Sequence, residues 1–428
     1  MHSARTRGVP EEAGGGSEEG RPHPDEPASA HRAGGSHGGR PPACAPERPA
    51  GAGDPGRTPR QPRSAGGEGP RRALWADVAK GVCILLVVLW HVVVKHYLRI
   101  DWGVSPPIPG AWGALTEQLL PLRMPLFFTI SGMFAAGAVA RPWRVVRRSK
   151  VGRFLYLYAV WLLIHTAVLA LVPSFDTARA DDVAGLLAQL TITPSNLWYL
   201  YALALYFVLA KATRRVPVVL VLGGALVLSA LASAGLLEAP GNRAGLYQNL
   251  VFFLAGLYFR SYVERLAATA GWGRLALTGA CYAGCLAVVA MTGSRAWPGV
   301  WPVVCAVATV FGVTAAALLG RRATLGNALA RLGRRTLPVY VIHMPLLALL
   351  HLALVPPLSA GMDGGLRIVL AVVEPVALTA LVVWLCLTLH RLLLGLGATW
   401  LFDLPGRGSR AAGSAASPSS SDGRTART

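Results

Sequence analysis

A lysine and a histidine stand at the two ends of one apolar run, KGVCILLVVLWH, which extends from Lys80 to His91. Eleven residues at about 100° each make about three helical turns, so both side chains share one helix face about 16 Å apart. Asp77 precedes Lys80 by about one turn. Because a buried imidazole is neutral and can accept a proton, the pattern predicts a general base at His91 and an anion-binding cation at Lys80. A lysine anchored at a membrane interface and a histidine bonded to a neighbouring helix are the structural alternatives.

Other ionisable residues lie inside apolar stretches, where they are costly unless they face protein or water. Arg123 within PLRMPLFF is predicted to be functional, and His343 within YVIHMP is predicted either to assist proton transfer or to make a structural hydrogen bond. His165 and Glu374 are less informative: Glu374 is near the predicted outer end of its helix, where exposure at the interface explains it better than contact with an extracytoplasmic acceptor. Ser131 is a supporting candidate, or with Gly132 part of a small-residue packing surface.

The elements that must position these residues are membrane helices. The 428 residues are 53% hydrophobic and only 14% charged, whereas an ordinary soluble domain is about 25% charged. The sequence therefore predicts an all-α, polytopic integral membrane protein, since a spanning helix needs about 20 apolar residues. Ten apolar stretches are predicted to be transmembrane helices, at about 78–97, 116–138, 154–173, 196–212, 217–237, 246–261, 275–293, 299–320, 337–355 and 367–397.

The distribution of charge predicts the topology. Lysine and arginine gather in the linkers that follow the even-numbered helices, whereas the other linkers hold fewer cations and several carboxylates. By the positive-inside rule the even-numbered linkers and both termini are cytoplasmic. These cytoplasmic cations are Arg141, Arg144, Arg147, Arg148, Lys150, Arg153, Lys211, Arg214, Arg215, Arg260, Arg265, Arg274, Arg321, Arg322, Arg331, Arg334 and Arg335.

Two polar tails flank the predicted membrane domain of residues 74–404. Residues 1–73 and 405–428 are rich in Gly, Pro, Ala, Ser and Arg, and are predicted to be disordered cytoplasmic segments. Arginines are balanced by carboxylates through residue 70, so the net charge of +20 does not form a basic arm, which argues against nucleic acid. The six cysteines follow no metal-ligand spacing and are interpreted as packing residues, so no metal site is expected. The sequence also lacks a P-loop, a dinucleotide-binding glycine pattern and HExxH.

A family resemblance joins these features. The segment WADVAKGVCILLVVLWH resembles the first helix of the acyltransferase family 3 membrane proteins, in which a basic residue, usually arginine, precedes a histidine by the same spacing. The lysine at this position is similar to the fucose 4-O-acetylase-like branch. RMPLFFTISGMF, NLWYLYALALYFV, NLVFFLAGLYF and GRRTLPVYVIHMPLL resemble the second, fourth, sixth and ninth helices of the family, and the likeness covers residues 74–400.

The resemblance implies transfer of an acetyl or other short acyl group from acyl-CoA to a carbohydrate hydroxyl of a cell-envelope glycan or glycolipid. His91 would be the catalytic base, and Lys80 would help to bind the donor, with no permanently bound cofactor. Arg123 would stabilise the thioester oxyanion or grip substrate. Direct transfer and a covalent carrier both remain open at this point. Arg147, Arg148 and Arg335 could bind the donor phosphates, although their topological role alone explains them.

Trp198, near the outer end of the fourth predicted helix, belongs either to an aromatic belt or to a surface that stacks sugars. The implied partners are acyl-CoA, a carbohydrate or glycolipid acceptor and membrane lipid, in the plasma membrane of a bacterium. A different class would use the same buried polar residues, namely a transporter or flippase for a glycolipid or polysaccharide precursor. Consumption of a thioester distinguishes the enzyme from the transporter.

Overall fold

A computed structural model describes residues 74–103, 107–239, 243–359 and 364–405. The predicted tails, 1–73 and 405–428, lie outside the described residues apart from Pro405. Within the described ranges every regular element is helical, which confirms the all-α prediction. The α-helices are α1 (Leu74–Lys95), α2 (Pro107–Gln118), α3 (Leu120–Val139), α4 (Trp143–Val146), α5 (Gly152–Ala170), α6 (Val183–Thr191), α7 (Trp198–Ala212), α8 (Val218–Ser233), α9 (Gly245–Gln248), α10 (Leu250–Tyr258), α11 (Arg260–Ala268), α12 (Trp272–Thr292), α13 (Val300–Gly320), α14 (Ala323–Gly333), α15 (Thr336–Ser359) and α16 (Gly364–Gly395).

Seven helical runs are long and apolar enough to cross a bilayer, so the chain is a multi-pass membrane protein. Their exposed surfaces are apolar, as expected where lipid replaces water as the solvent. Between the helices, backbone hydrogen bonds of the described residues close short turns and helix ends. The seven runs are Leu74–Arg99, Ile108–Val139, Trp143–Ala170, Trp272–Thr292, Val300–Gly320, Thr336–Ser359 and Gly364–Gly395.

Three of the ten predicted spans are shorter in the structure than a full crossing requires. The fourth and fifth correspond to α7, with 15 residues, and α8, with 16 residues. The sixth, predicted as one helix over 246–261, is divided into α9, α10 and α11 by breaks at Asn249 and Phe259. The number of crossings, and with it the topology, therefore stays a prediction.

Two of the long runs are interrupted in ways that the apolar pattern does not reveal. The run Ile108–Val139 consists of two helices, α2 and α3, which meet at Leu119, and the second predicted span, 116–138, covers α3 and only the end of α2. Pro121 provides a residue without an N–H near the start of α3. Between α4 and α5 the chain forms a π-helical turn, Arg147–Val151. Such turns insert a residue into the helical register and are frequent at functional sites.

Helix α1 is at the centre of the packing. Its most extensive neighbour is α14, followed by α13, α3, α16 and α15. The approach of α14 depends on glycine, because a Cβ at Gly333 would overlap the carbonyl oxygen of Asp77, and one at Gly81 would overlap that of Leu329. The cytoplasmic linker predicted after the eighth span is thus largely a helix, α14, which packs beside Lys80.

A second glycine pair joins α3 to α10. A Cβ at Gly132 would overlap the carbonyl oxygen of Phe253, and one at Gly256 would overlap that of Thr129. The close packing proposed for the Ser131–Gly132 segment is therefore made by the glycine. Ser131, one residue earlier, is left to face α7.

Candidate active site

His91 lies in the last turns of α1 and its tautomer follows from its hydrogen bond. The Nδ1 atom is 2.8 Å from the carbonyl oxygen of Val87, which can only accept, so Nδ1 carries the proton. The Nε2 lone pair is then free to accept a proton from another group. The side chain is partly exposed and lines a cavity of about 340 Å³, here called the histidine cavity. This arrangement suits a general base.

The histidine cavity is rich in positive charge. Lys95, Arg123 and Arg243 line it, against one carboxylate, Asp176. Asp176 is shared, because Lys95 approaches it at 3.6 Å and Arg99 also donates to it. Burial lowers the pKa of Arg243, but that value starts so far above neutrality that the guanidinium keeps its charge. An anionic or strongly polar ligand therefore suits this cavity.

His343 on α15 lies beside His91, with 5.0 Å between the ring centroids. Its Nδ1 is 2.7 Å from the carbonyl oxygen of Tyr340 and 3.1 Å from that of Val339, so Nδ1 carries the proton. The buried Nε2 has no hydrogen-bond partner among the described residues. His343 supports the imidazole of His91 but, unlike it, is not part of the cavity lining.

Lys80 lines a second cavity, of about 320 Å³, here called the lysine cavity. Its Nζ is 2.7 Å from Oδ1 of Asp77, and it lies 5.4 Å from the ring centroid of Phe134. Asp77 is also approached by Arg334 at 3.6 Å. Four cations, Lys80, Lys150, Arg153 and Arg334, contribute to the lining together with aromatic and aliphatic side chains. The cavity thus combines cations with an apolar interior.

One tyrosine separates the two cavities. Tyr340, on α15, lines both of them. Its hydroxyl donates to the carbonyl oxygen of Asn196 at 3.1 Å and accepts from the backbone N–H of Tyr199 at 3.2 Å. On the side of the lysine cavity, the hydroxyls of Ser131 and Tyr199 are 2.9 Å apart, and Ser131 also donates to the carbonyl oxygen of Phe127. Ser131 is therefore a polar group in the lining of the lysine cavity.

Arg123 is only 6% exposed although it is charged. Its guanidinium lies over the ring of Trp90, 4.4 Å from the centroid, a cation–π contact that partly replaces the lost hydration. Arg123 and Trp198 line both the histidine cavity and a third cavity of about 230 Å³, here called the tryptophan cavity. Trp198 therefore lies beside Arg123 where the two cavities adjoin.

The comparison with known proteins decides what kind of protein carries this site. The acyltransferase 3 family, described as an acyltransferase domain, matches residues 73–391, which include all three cavities. The chain belongs to this family. Membership implies acyltransferase activity, and therefore an acyl donor and an acceptor.

This acyltransferase 3 protein is also similar to the inner membrane protein YcfT of Escherichia coli (strain K12). The two are 28% identical over 160 residues, which are 34% of this chain and 45% of YcfT. The match thus spans less than half of the curated relative. No solved structure matches the chain.

The residues that sequence analysis assigned to donor binding fall in two groups. Lys80 lines the lysine cavity, whereas Arg147, Arg148 and Arg335 are exposed and outside the lining that the structure describes. Each of these arginines is close in sequence to a residue that does line it, because the π-helical turn also carries Lys150, and Arg334 precedes Arg335. Arg153, whose Nε is 3.0 Å from Oδ1 of Asp403, is the fourth cation in the lining of the lysine cavity.

His165 and Glu374 belong to other contacts. His165 Nε2 donates to the carbonyl oxygen of Val341 at 2.8 Å, which ties α5 to α15 behind His343. Glu374 is 3.1 Å from Nε2 of His96, whose Nδ1 is 3.0 Å from His351. This second set of polar groups joins the residue that follows α1 to α15 and α16, and none of the three lines a described cavity.

Tyr340 is the main residue that sequence analysis did not single out. It precedes His343 by three residues, so the two share a helix face, and this spacing was the available signal. For α14 the signal was the spacing of Gly326, Ala330 and Gly333, a stripe of small residues that are buried in the structure.

Proposed function

We propose that the protein is a membrane O-acyltransferase that moves an acetyl or other short acyl group from acyl-CoA to a hydroxyl of a carbohydrate or cell-envelope glycolipid. One observation carries the proposal. A single helix, α1, contributes Lys80 to one cavity and His91 to another, and Tyr340 lines both. A donor and an acceptor can therefore approach one reaction centre from two sides.

The lysine cavity is the proposed donor site. Coenzyme A carries several phosphate charges, which suit Lys80, Lys150, Arg153 and Arg334, whereas a short acyl chain and its thioester suit the apolar part of the lining. The exposed Arg147, Arg148 and Arg335 extend the positive surface around it. With the even-numbered linkers inside, this cavity opens toward the cytoplasm, where acyl-CoA is made.

The histidine cavity is the proposed acceptor site. Nε2 of His91 takes the proton of the acceptor hydroxyl as its oxygen attacks the thioester carbon. The C–O bond forms, the C–S bond breaks, and the proton passes to the thiolate, so the products are an ester and free coenzyme A. The bond from Nδ1 to Val87 leaves the lone pair of Nε2 available to take this proton.

The plasma membrane of a bacterium is the proposed location, supported by the inner-membrane description of the E. coli relative. The alignment covers only 45% of that relative, so we infer no substrate for this chain from the relative.

The test uses the full chain in nanodiscs with acetyl-CoA. We expect slow thioester loss by the wild type, lowered at least about 100-fold in His91→Ala with donor affinity unchanged, because general-base catalysis contributes about 10²–10⁴ in rate. Lys80→Ala is expected to weaken donor binding about tenfold, since a charge-assisted hydrogen bond contributes about 1.5–3 kcal/mol. Arg260→Gln, which alters an exposed cation on α11, is the control.

A wild-type protein that neither binds nor consumes acetyl-CoA would contradict the proposal. If such a protein instead carried a labelled glycolipid across the vesicle membrane, the transporter hypothesis would replace it. Loss of turnover in both Lys80→Ala and Arg260→Gln would mean that the assay reports folding and not donor recognition.

A further inference from the structure

Resting on the proposed function, we propose that the acceptor is an anionic oligosaccharide, with one ring in the histidine cavity and the next ring in the tryptophan cavity. The two cavities together then form one acceptor site that selects both negative charge and chain length. This assigns a role to Gln248, Asn249 and Arg295, polar residues of the tryptophan cavity that no donor requires.

The two cavities are adjacent. Arg123, Met124 and Trp198 line both, so the proposed ligand would extend from one to the other past the indole of Trp198. At about 340 Å³ and 230 Å³, each has room for a sugar ring, and the larger is within the range of about 300–1,000 Å³ usual for ligand sites. A hydroxyl at His91 therefore places the neighbouring ring beyond Trp198.

Within the described residues, Lys95 and Arg295 have carboxylate partners in Asp176 and Glu117, but the other two cations of these cavities do not. Among the residues that the structure describes, neither Arg123 nor Arg243 forms an ion pair with a carboxylate. Arg243 donates instead to the carbonyl oxygen of Pro194, and Arg123 rests on Trp90. A buried guanidinium without a counter-ion is costly inside a membrane protein. An acceptor that brings its own carboxylate or phosphate would supply that counter-ion.

The tryptophan cavity has the mixture of surfaces that a sugar ring needs. Trp198 and Trp301 provide aromatic faces for the C–H side of the ring. Asn249 is only 5% exposed, and its amide nitrogen donates to the carbonyl oxygen of Gly245 at 2.8 Å, so its Oδ1 is available to accept. Arg295 lies 4.6 Å from the ring centroid of Trp301 and is paired with Glu117 at 2.7 Å.

A cysteine in the wall offers a reporter that does not depend on turnover. Cys305 on α13 lines the tryptophan cavity and is only 4% exposed. The full chain would be made with Ala at the other five cysteines, so that modification reports this position alone. The rate with anionic sulfonatoethyl methanethiosulfonate would be compared with that of its cationic trimethylammonium analogue, each rate being divided by the rate of the same reagent with a small free thiol.

We expect the anionic reagent to modify Cys305 at least about tenfold faster than the cationic one, because a cation-lined cleft concentrates anions. Arg123→Gln should reduce this ratio toward one, and Arg260→Gln should leave it unchanged. A ratio of one or below in the parent protein, or no modification by either reagent, would overturn the proposal, and neither outcome depends on whether Arg123→Gln folds.

Chain length is tested with defined sugars. Cellobiouronate should slow modification of Cys305 more than cellobiose, which lacks the charge, or glucuronate, which lacks the second ring. Protection that is equal for all three would contradict the two-ring site. Cysteine protection without acetyl-CoA consumption would overturn the proposed function alone, whereas acetylation of neutral sugars as fast as their uronate forms would overturn this inference alone.

Discussion

His91 and His343 have adjacent rings but different surroundings at the Nε2 atom. Both donate from Nδ1 to a backbone carbonyl of their own helix, so both present an unprotonated Nε2. Of these two histidines, His91 lines the histidine cavity, whereas Nε2 of His343 is buried. A proton acceptor in a reaction must reach the substrate, which favours His91 as the base and gives His343 a positioning role.

The two histidines should therefore respond differently to the same substitution. We expect His91→Gln to lower kcat at least about 100-fold, because an amide cannot accept the hydroxyl proton at neutral pH. His343→Gln should lower kcat by no more than about tenfold, since the amide still fills the space behind His91. The check is the rate of acetyl transfer at saturating donor, and a larger loss for His343→Gln would reverse the two roles.

At the scale of residues, part of the candidate site could be predicted from the sequence. The interval from Lys80 to His91 is a property of the helix period and could be calculated without a structure. The lining by Lys150 could not, because the π-helical turn changes the register between α4 and α5 and no residue type marks it. Tyr340 was equally hard to assign, since its position depends on how α15 approaches α7.

At the level of helices, the contact between α3 and α10 holds Ser131 against Tyr199. We expect Gly132→Ala to destabilise the protein by about 1–3 kcal/mol, because its Cβ would overlap the carbonyl oxygen of Phe253. Gly137→Ala is a matched control on the same helix, since a Cβ there meets nothing within 4 Å. Thermal unfolding in detergent measures the difference, and equal melting temperatures for the two variants would show that α3 and α10 do not pack so closely.

The apolar pattern of the sequence locates the long helices but does not separate the short ones. Residues that form long, uninterrupted runs, such as α12, α13 and α15, were predicted within a few residues. The interval from Gly245 to Ala268 was not, because it contains one apolar run but three helices. The apolar composition of a segment indicates that it lies in lipid or in the protein interior. The breaks at Asn249 and Phe259 depend on tertiary contacts, which composition does not encode.

At the scale of the whole molecule, the distribution of arginine makes a prediction about orientation. Asp181 and Thr324 are both exposed but belong to linkers predicted to lie on opposite sides of the membrane. In a protein without other cysteines, Asp181→Cys should react with an impermeant maleimide in intact cells, and Thr324→Cys only after permeabilisation. The reverse pattern would invert the topology and would move the lysine cavity away from the cytoplasmic pool of acyl-CoA.

The position of Tyr340 between two cavities has a consequence for where the products of the proposed reaction leave. Under the proposed function, with a donor on one side of this side chain and an acceptor on the other, coenzyme A and the esterified sugar would leave in opposite directions. The spent carrier would return directly to metabolism, and only the acyl group would be exported. A cell could then decorate its envelope in a compartment that contains neither ATP nor thioesters, with no separate exporter for the activated donor.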